Sequence, residues 1–202
     1  MKKYIYKIEQ DTNPENPREW DNITTMVCGH KKYTLGDKHN YKQEDFDSWE
    51  AIKKQIKKDF KVLLIKPLYM YDHSGITIST EPFNCIFDSG QIGWVFIHED
   101  QLNYVCGKEF KRGKAKLESI MNSEVKSYDS YLTGDIYSFT IYEQEECSKG
   151  HLHEEQLEYC GGYYSEGDAI DEAQGMVEYY QNKQDHKDAV EQDSQRYEDS
   201  II

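Results

Sequence analysis

Aspartate and histidine in turn-forming segments are the residue types here that could do acid–base or metal chemistry. Asp37, His39, Asp72, His73 and Asp88, with Asp21 and His30, all fall in loops flanking predicted strands. If one sheet edge gathers those loops, two or three of the side chains could hold a divalent metal and activate water. That would make a small metal-dependent hydrolase or nucleotide-processing enzyme. The spacings match no ligand template, since there is no HExxH and no EF-hand loop. The stretches at Asp72–Gly75 and Asp88–Gly90 are also ordinary turn chemistry, in which aspartate accepts from nearby backbone N–H groups. A second set, Cys147, His151, His153 and Cys160, places four zinc-type ligands around one predicted hairpin. Its spacing, C-x3-H-x-H-x6-C, is not that of a standard finger. Phosphate-binding glycine patterns and the G-x-S-x-G elbow are missing, and no cofactor is expected.

The third set is the acidic one. The 202 residues carry 38 acids against 24 bases, a net of −14. Residues 143–202 hold 17 acids and 4 bases, so nearly all of the excess lies in the last 60 residues. Glu154, Glu155, Glu158, Glu166, Asp168, Asp171, Glu172 and Glu178 fall within 25 residues, interleaved with Tyr163 and Tyr164. Carboxylates every three or four residues on a helix stand about 5 Å apart along its axis. Two such rows, one from the helix and one from the hairpin before it, would imitate the phosphates of duplex DNA. The charge repels nucleic acid and anionic membrane and attracts basic partners. A plain solubilising face is the simpler explanation of such a run.

These side chains need elements to hold them. Lys3–Glu9 alternates as a strand. Phe46, Trp49, Ile52, Ile56 and Phe60 form one stripe, which predicts a helix over Glu44–Phe60. Val62–Tyr71, Ile76–Ser79 and Gln91–His98 read as a three-stranded meander, with Pro67 forcing a bulge or an edge. Ala115–Tyr131 is a second helix, ended by Gly134. Asp135–Glu143 and Gln156–Tyr164 form a hairpin around a polar loop at Gln144–Glu155. A third helix starts at Ser165 or Asp168. Beyond Gln181 its apolar pattern fades, leaving residues 181–202 as a solvated helix extension or a disordered tail. The expectation is an α+β fold: an antiparallel sheet of five or six strands in residues 1–164, two helices packed on one face, and an acidic C-terminal helix and tail in 165–202.

Composition sets the class. Aromatics at 13% can build a core although apolar residues total only 37%. No run approaches the 18 apolar residues of a membrane span, and the start, MKKYIYKIEQD, lacks the apolar stretch of a signal peptide. Five irregularly spaced cysteines fit free thiols and a cytoplasmic setting.

Several stretches carry a resemblance: PREWDNITTMVCGHKKYTLGDKH (17–39), PLYMYDHSGITIST (67–80), FNCIFDSGQIGW (83–94), YLTGDIYSF (131–139) and CGGYY (160–164). On these the chain resembles a family of small uncharacterised proteins of bacteriophages and mobile elements. The resemblance implies a setting inside an infected bacterial cell, where small acidic proteins block host defence. It supplies no catalytic residues. The reading that follows is a non-enzymatic inhibitor of the anti-restriction or anti-CRISPR kind. Its acidic surface would occupy the basic groove of a host nucleic-acid-handling protein, with no direct contact to nucleic acid or membrane. The hydrolase and a structural homodimer are the alternatives.

Overall fold

The computed structural model describes residues 2–111 and 113–199. Contacts group the chain into two compact units, Met1–Pro14 with Asp135–Ile202, and Glu15–Gly134. The α+β class with antiparallel pairing is borne out. The strands, however, form two sheets instead of one.

The continuous unit is built on a four-stranded antiparallel sheet. It contains β2 (Thr25–Cys28), β3 (Val62–Asp72), β4 (Ile76–Ser79) and β5 (Ser89–His98), in the order β2-β5-β3-β4. The β3–β4–β5 meander is as the alternation predicts. Pro67 lies opposite Trp94, and the ladder shifts register just after it, between Leu68 and Tyr69, which relieves the missing donor. Residues 92–97 of β5 are all buried. Such a run signals a strand covered on both faces. The helices accordingly pack on opposite faces, not on one. The side chains of Val27, Trp94 and Phe96 meet Ile52 and Ile56 of α1 (Trp49–Asp59). Met26, Val95 and Ile97 fall in a cluster with Leu117, Met121, Val125 and Tyr128 of α3 (Lys114–Thr133).

Local signals set the helix ends. α1 starts at Trp49 because the Ser48 hydroxyl accepts from the Ala51 N–H at 3.2 Å. α3 stops at Gly134, whose φ of 74° is the left-handed cap. A short helix between them, α2 (Glu99–Cys106), buries only Leu102. Gly93 fixes the spacing of β2 and β5, since a Cβ there would run into the carbonyl oxygen of Val27.

The second unit holds a three-stranded antiparallel sheet in the order β1-β6-β7, from β1 (Lys3–Gln10), β6 (Tyr137–Glu146) and β7 (Leu152–Tyr163). The hairpin is longer than its alternation predicts. Strand pairing runs to Glu146 and resumes at Leu152, so most of the expected polar loop is ladder. One face of this sheet is covered by α4 (Glu166–Asp199), through Ala173, Met176, Val177 and Tyr180 against Phe139, Ile141 and Leu157. Beyond Gln181 the helix continues without an apolar stripe. Polar pairs at i, i+4 line it instead: Gln181 to Asp185 at 3.0 Å, Gln184 to Asp188 at 2.6 Å, and Lys187 with Glu191 at 3.8 Å. The solvated extension is therefore the form seen up to Asp199. Residues 200–202 lie outside the described residues. No helix among the described residues is long and apolar enough to cross a membrane.

Candidate functional site

The loop aspartates and histidines divide into two groups. Asp37 is engaged in structure. Arg18, its side chain 4% exposed, donates from Nε at 2.9 Å and from Nη2 at 2.6 Å to the two Asp37 oxygens, and the Met26 N–H adds a bond at 2.8 Å. Arg18 also reaches Thr24, and Glu124 of α3 stands 3.9 Å from its Nη1. Glu124 in turn accepts from the N–H groups of Ile23 and Thr24 and from the Thr24 hydroxyl. His39 is fixed as well, with Nε2 at 2.8 Å from the Cys28 carbonyl and Nδ1 accepting from the Tyr41 N–H. Asp37 thus spends its oxygens on Arg18 and the backbone, His39 spends its ring nitrogens on the backbone, and neither lines the cavity that Asp72 and Asp88 border. Burial, with the Asp37 carboxylate nearby, pushes the Cys28 thiol up to about 12, so it is no nucleophile.

Asp72, His73 and Asp88 do come together. β3 ends at Asp72 and β5 begins at Ser89, so the hairpin turn and the 81–88 loop meet at one end of the sheet. His73 Nδ1 stands 3.4 Å from Asp88 Oδ2, and the Asp72 N–H donates to the Asp88 carbonyl at 2.8 Å. Asp72 accepts from the Tyr33 hydroxyl at 3.3 Å and has Lys32 at 3.5 Å. Asp72 and Asp88, though not His73, border an open cavity of about 390 Å³ with His30 and Phe87. Asp21 does not line that cavity. The result is one exposed His–Asp pair. No three ligating side chains converge among the described residues.

The zinc arrangement does not form, for a reason of register. Cys147 and His151 close the hairpin turn, with the Cys147 N–H donating to the His151 carbonyl, and His153 faces Glu145. Cys160 faces Phe139, seven residues further along β7. At about 3.3 Å per residue it stands about 23 Å from His153. Its sulfur instead accepts from the Tyr163 hydroxyl at 3.4 Å.

The acidic residues are exposed but not on one face. Opposed residues of an antiparallel pair share a sheet face. Glu158, opposite Ile141, lies on the α4 side and accepts from the Tyr180 hydroxyl at 3.1 Å; Glu155, opposite Glu143, shares that side. Glu154 is on the reverse side, opposite Gln144. Lys7 binds it at 2.7 Å, and Lys7 with Gln144 holds its carboxyl below the usual carboxylate range. The expected pairing of a hairpin row with a helix row is therefore corrected: register splits the hairpin acids between two faces. Tyr163 is half-buried. It packs on Phe139 with ring centroids 5.6 Å apart, and burial raises its pKa. Tyr164 is half-buried.

What remains coherent is α4. At 100° per residue, Asp168, Asp171 and Glu178 project away from the stripe that meets the sheet, with Glu172 on the flank and Glu166 in the first turn. Asp185, not among the candidates, extends the row, since Asp171, Glu178 and Asp185 recur every seven residues, about 10.5 Å apart. That spacing was readable in the sequence. The fading apolar stripe concealed that the helix goes on.

No protein family, curated protein or solved structure matches the chain.

Proposed function

We propose that the chain is a binding protein, an inhibitor of the phage type. Its acidic unit docks into the cationic groove of a host nucleic-acid-handling protein, such as a defence nuclease, in the infected bacterial cell. The observation that carries this reading is where the charge falls. Residues 1–14 and 135–202 contain 20 acids and 7 bases, a net of −13, whereas residues 15–134 contain 18 and 17, a net of −1. Simple solubility places no such demand on one unit, and a one-signed surface steers association with a basic partner. The contact row is the outward side of α4: Asp168, Asp171, Glu172, Glu178 and Asp185. Glu154 and Glu158 contribute less, since Lys7 and Tyr180 already hold them. Resemblance to mobile-element proteins supports the setting.

The test is capture from a lysate of the bacterial host at low and high salt. A basic nucleic-acid-handling protein should be retained at low salt and released at high salt. The Asp168→Lys, Asp171→Lys, Glu172→Lys, Glu178→Lys variant should lose it while keeping its helical circular dichroism. Unchanged capture by that variant removes the reading.

A further inference from the structure

Apart from the outward row of α4, the acidic unit has an open sheet edge. β7 is the last strand in the order β1-β6-β7 and pairs, among the described residues, with β6 alone. Ten of its twelve residues are exposed, so the edge lies open to water. In an antiparallel ladder every second residue turns its N–H and C=O away from its partner. On an edge strand those groups form a template that another extended chain can match. The template is regular from Leu152 to Gln156, where β6 and β7 keep register, and the bulge at Leu157 ends it.

The two sides of this stretch differ in chemistry. On the α4 side stand His153 and Glu155, with Glu158 just past the bulge. Neither carboxylate has a cation against it among the described residues, and Glu158 accepts from the neutral Tyr180 hydroxyl. On the reverse side stand Leu152, Glu154 and Gln156. There the charge is already matched, because Lys7 holds Glu154 at 2.7 Å. Leu152 is 58% exposed, a large apolar side chain left for a neighbouring strand to cover. Residues 152–163 contain three glutamates and no lysine or arginine. A second copy of β7 would therefore bring its own glutamates against these, and like charges opposed across a ladder destabilise it. The edge repels its own kind and favours a strand of opposite charge.

We propose that the outer edge of β7 takes up an extended basic segment of a partner protein as a further strand. Lysine or arginine at alternate positions meets Glu155 and Glu158 on the α4 side, and uncharged residues between them lie beside Leu152 and Gln156. Main-chain hydrogen bonds hold the segment, and the carboxylates select its charge. This edge is separate from the outward row of α4, so failure of one leaves the other standing.

The experiment titrates the intact, 15N-labelled protein with the peptide acetyl-Lys-Thr-Lys-Val-Lys-Thr-Lys-amide, followed by amide shifts and hydrogen exchange. Shifts concentrated at Leu152–Glu158, with slowed exchange of β7 amides, are expected. Two further peptides are methylated on every second backbone nitrogen, in the two alternate phases. Only one phase removes donors that face the edge, so one peptide should bind and the other should not. The same sequence with glutamate for lysine should not bind. Glu155→Lys with Glu158→Lys should weaken the basic peptide by about fivefold or more, the effect of losing two exposed charge contacts. Asp45→Lys with Asp47→Lys, in residues 15–134, makes the same change in net charge and should leave affinity nearly unchanged. Absent binding, shifts confined to other elements, equal binding of both methylated phases, binding of the glutamate peptide, or equal loss in the two charge variants overturns the proposal.

Discussion

Removing the Arg18 guanidinium strands two carboxylates. Asp37 and Glu124 approach it from segments 19 and 106 residues away in the chain, and Arg18 itself is almost fully buried. Breaking a buried pair costs about 3–5 kcal/mol, because the remaining charge keeps its desolvation penalty without its partner. Asp37 is partly open to water, so the lower end applies, and Arg18→Ala should lower stability by about 3 kcal/mol in urea unfolding. Arg18→Lys should recover little, since an ammonium cannot form the two-pronged contact with Asp37. A second residue sets pH dependence. His98 caps α2 by accepting from the Gln101 N–H and packs against the Phe60 ring, 4.6 Å between centroids and tilted by 36°. Burial lowers its pKa, against a smaller opposing pull from Asp100. The folded protein thus binds this proton less readily than the unfolded chain. The stability it permits is full above the unfolded value of about 6.5, falls as pH drops below that, and is lost completely below the folded value. His98→Asn keeps a good cap and removes the titration. The fall in urea midpoint between pH 7.5 and pH 5 should be shallower in this variant than in the parent.

At the scale of elements, periodicity located most of the structure because each stripe meets a core. The α1 and α3 stripes and the β3–β4–β5 meander were legible for that reason. α2 escaped because eight residues with one buried leucine carry too little pattern. The two-sided burial of β5 was present in the sequence as IGWVFI, a run without alternation. The acidic row was legible by type, and its geometry was not: a hairpin's register decides which of Glu154 and Glu155 faces α4, and adjacent residues take opposite faces. The zinc set was scattered by the same kind of information, since Cys160 lies far along β7, and Asp37 answers to an arginine that no local spacing points to. α4 depends on a narrow apolar contact. Ala173 is fully buried against Phe139 and Ile141. Ala173→Asp would bury an unpaired carboxylate there, which costs several kcal/mol or undocks the helix. Limited proteolysis should then cut within residues 166–199 under conditions where the parent is resistant, with helical circular dichroism reduced.

At the scale of the whole molecule, the division of strands between two sheets was hidden from local pattern. Alternation marks β1 and β6 as strands but does not say that Tyr4 sits opposite Glu143, 139 residues later. That long-range pairing gathers the acidic C-terminal third with the first strand into one unit, and leaves residues 15–134 as an uninterrupted segment with both of its hydrophobic clusters and the Arg18–Asp37–Glu124 network inside it. A segment with its own core and satisfied buried charges meets the physical conditions for folding alone. Residues 15–134 expressed by themselves should therefore unfold cooperatively in urea and retain the α1 and α3 helices by circular dichroism. Their net charge is −1 instead of −14. If partner binding is electrostatic docking of the other unit, this folded fragment captures no basic nucleic-acid-handling protein at any salt concentration, while the intact chain does so at low salt. A folded fragment that captures the same protein as the intact chain would move the binding surface to residues 15–134 and end the case for α4.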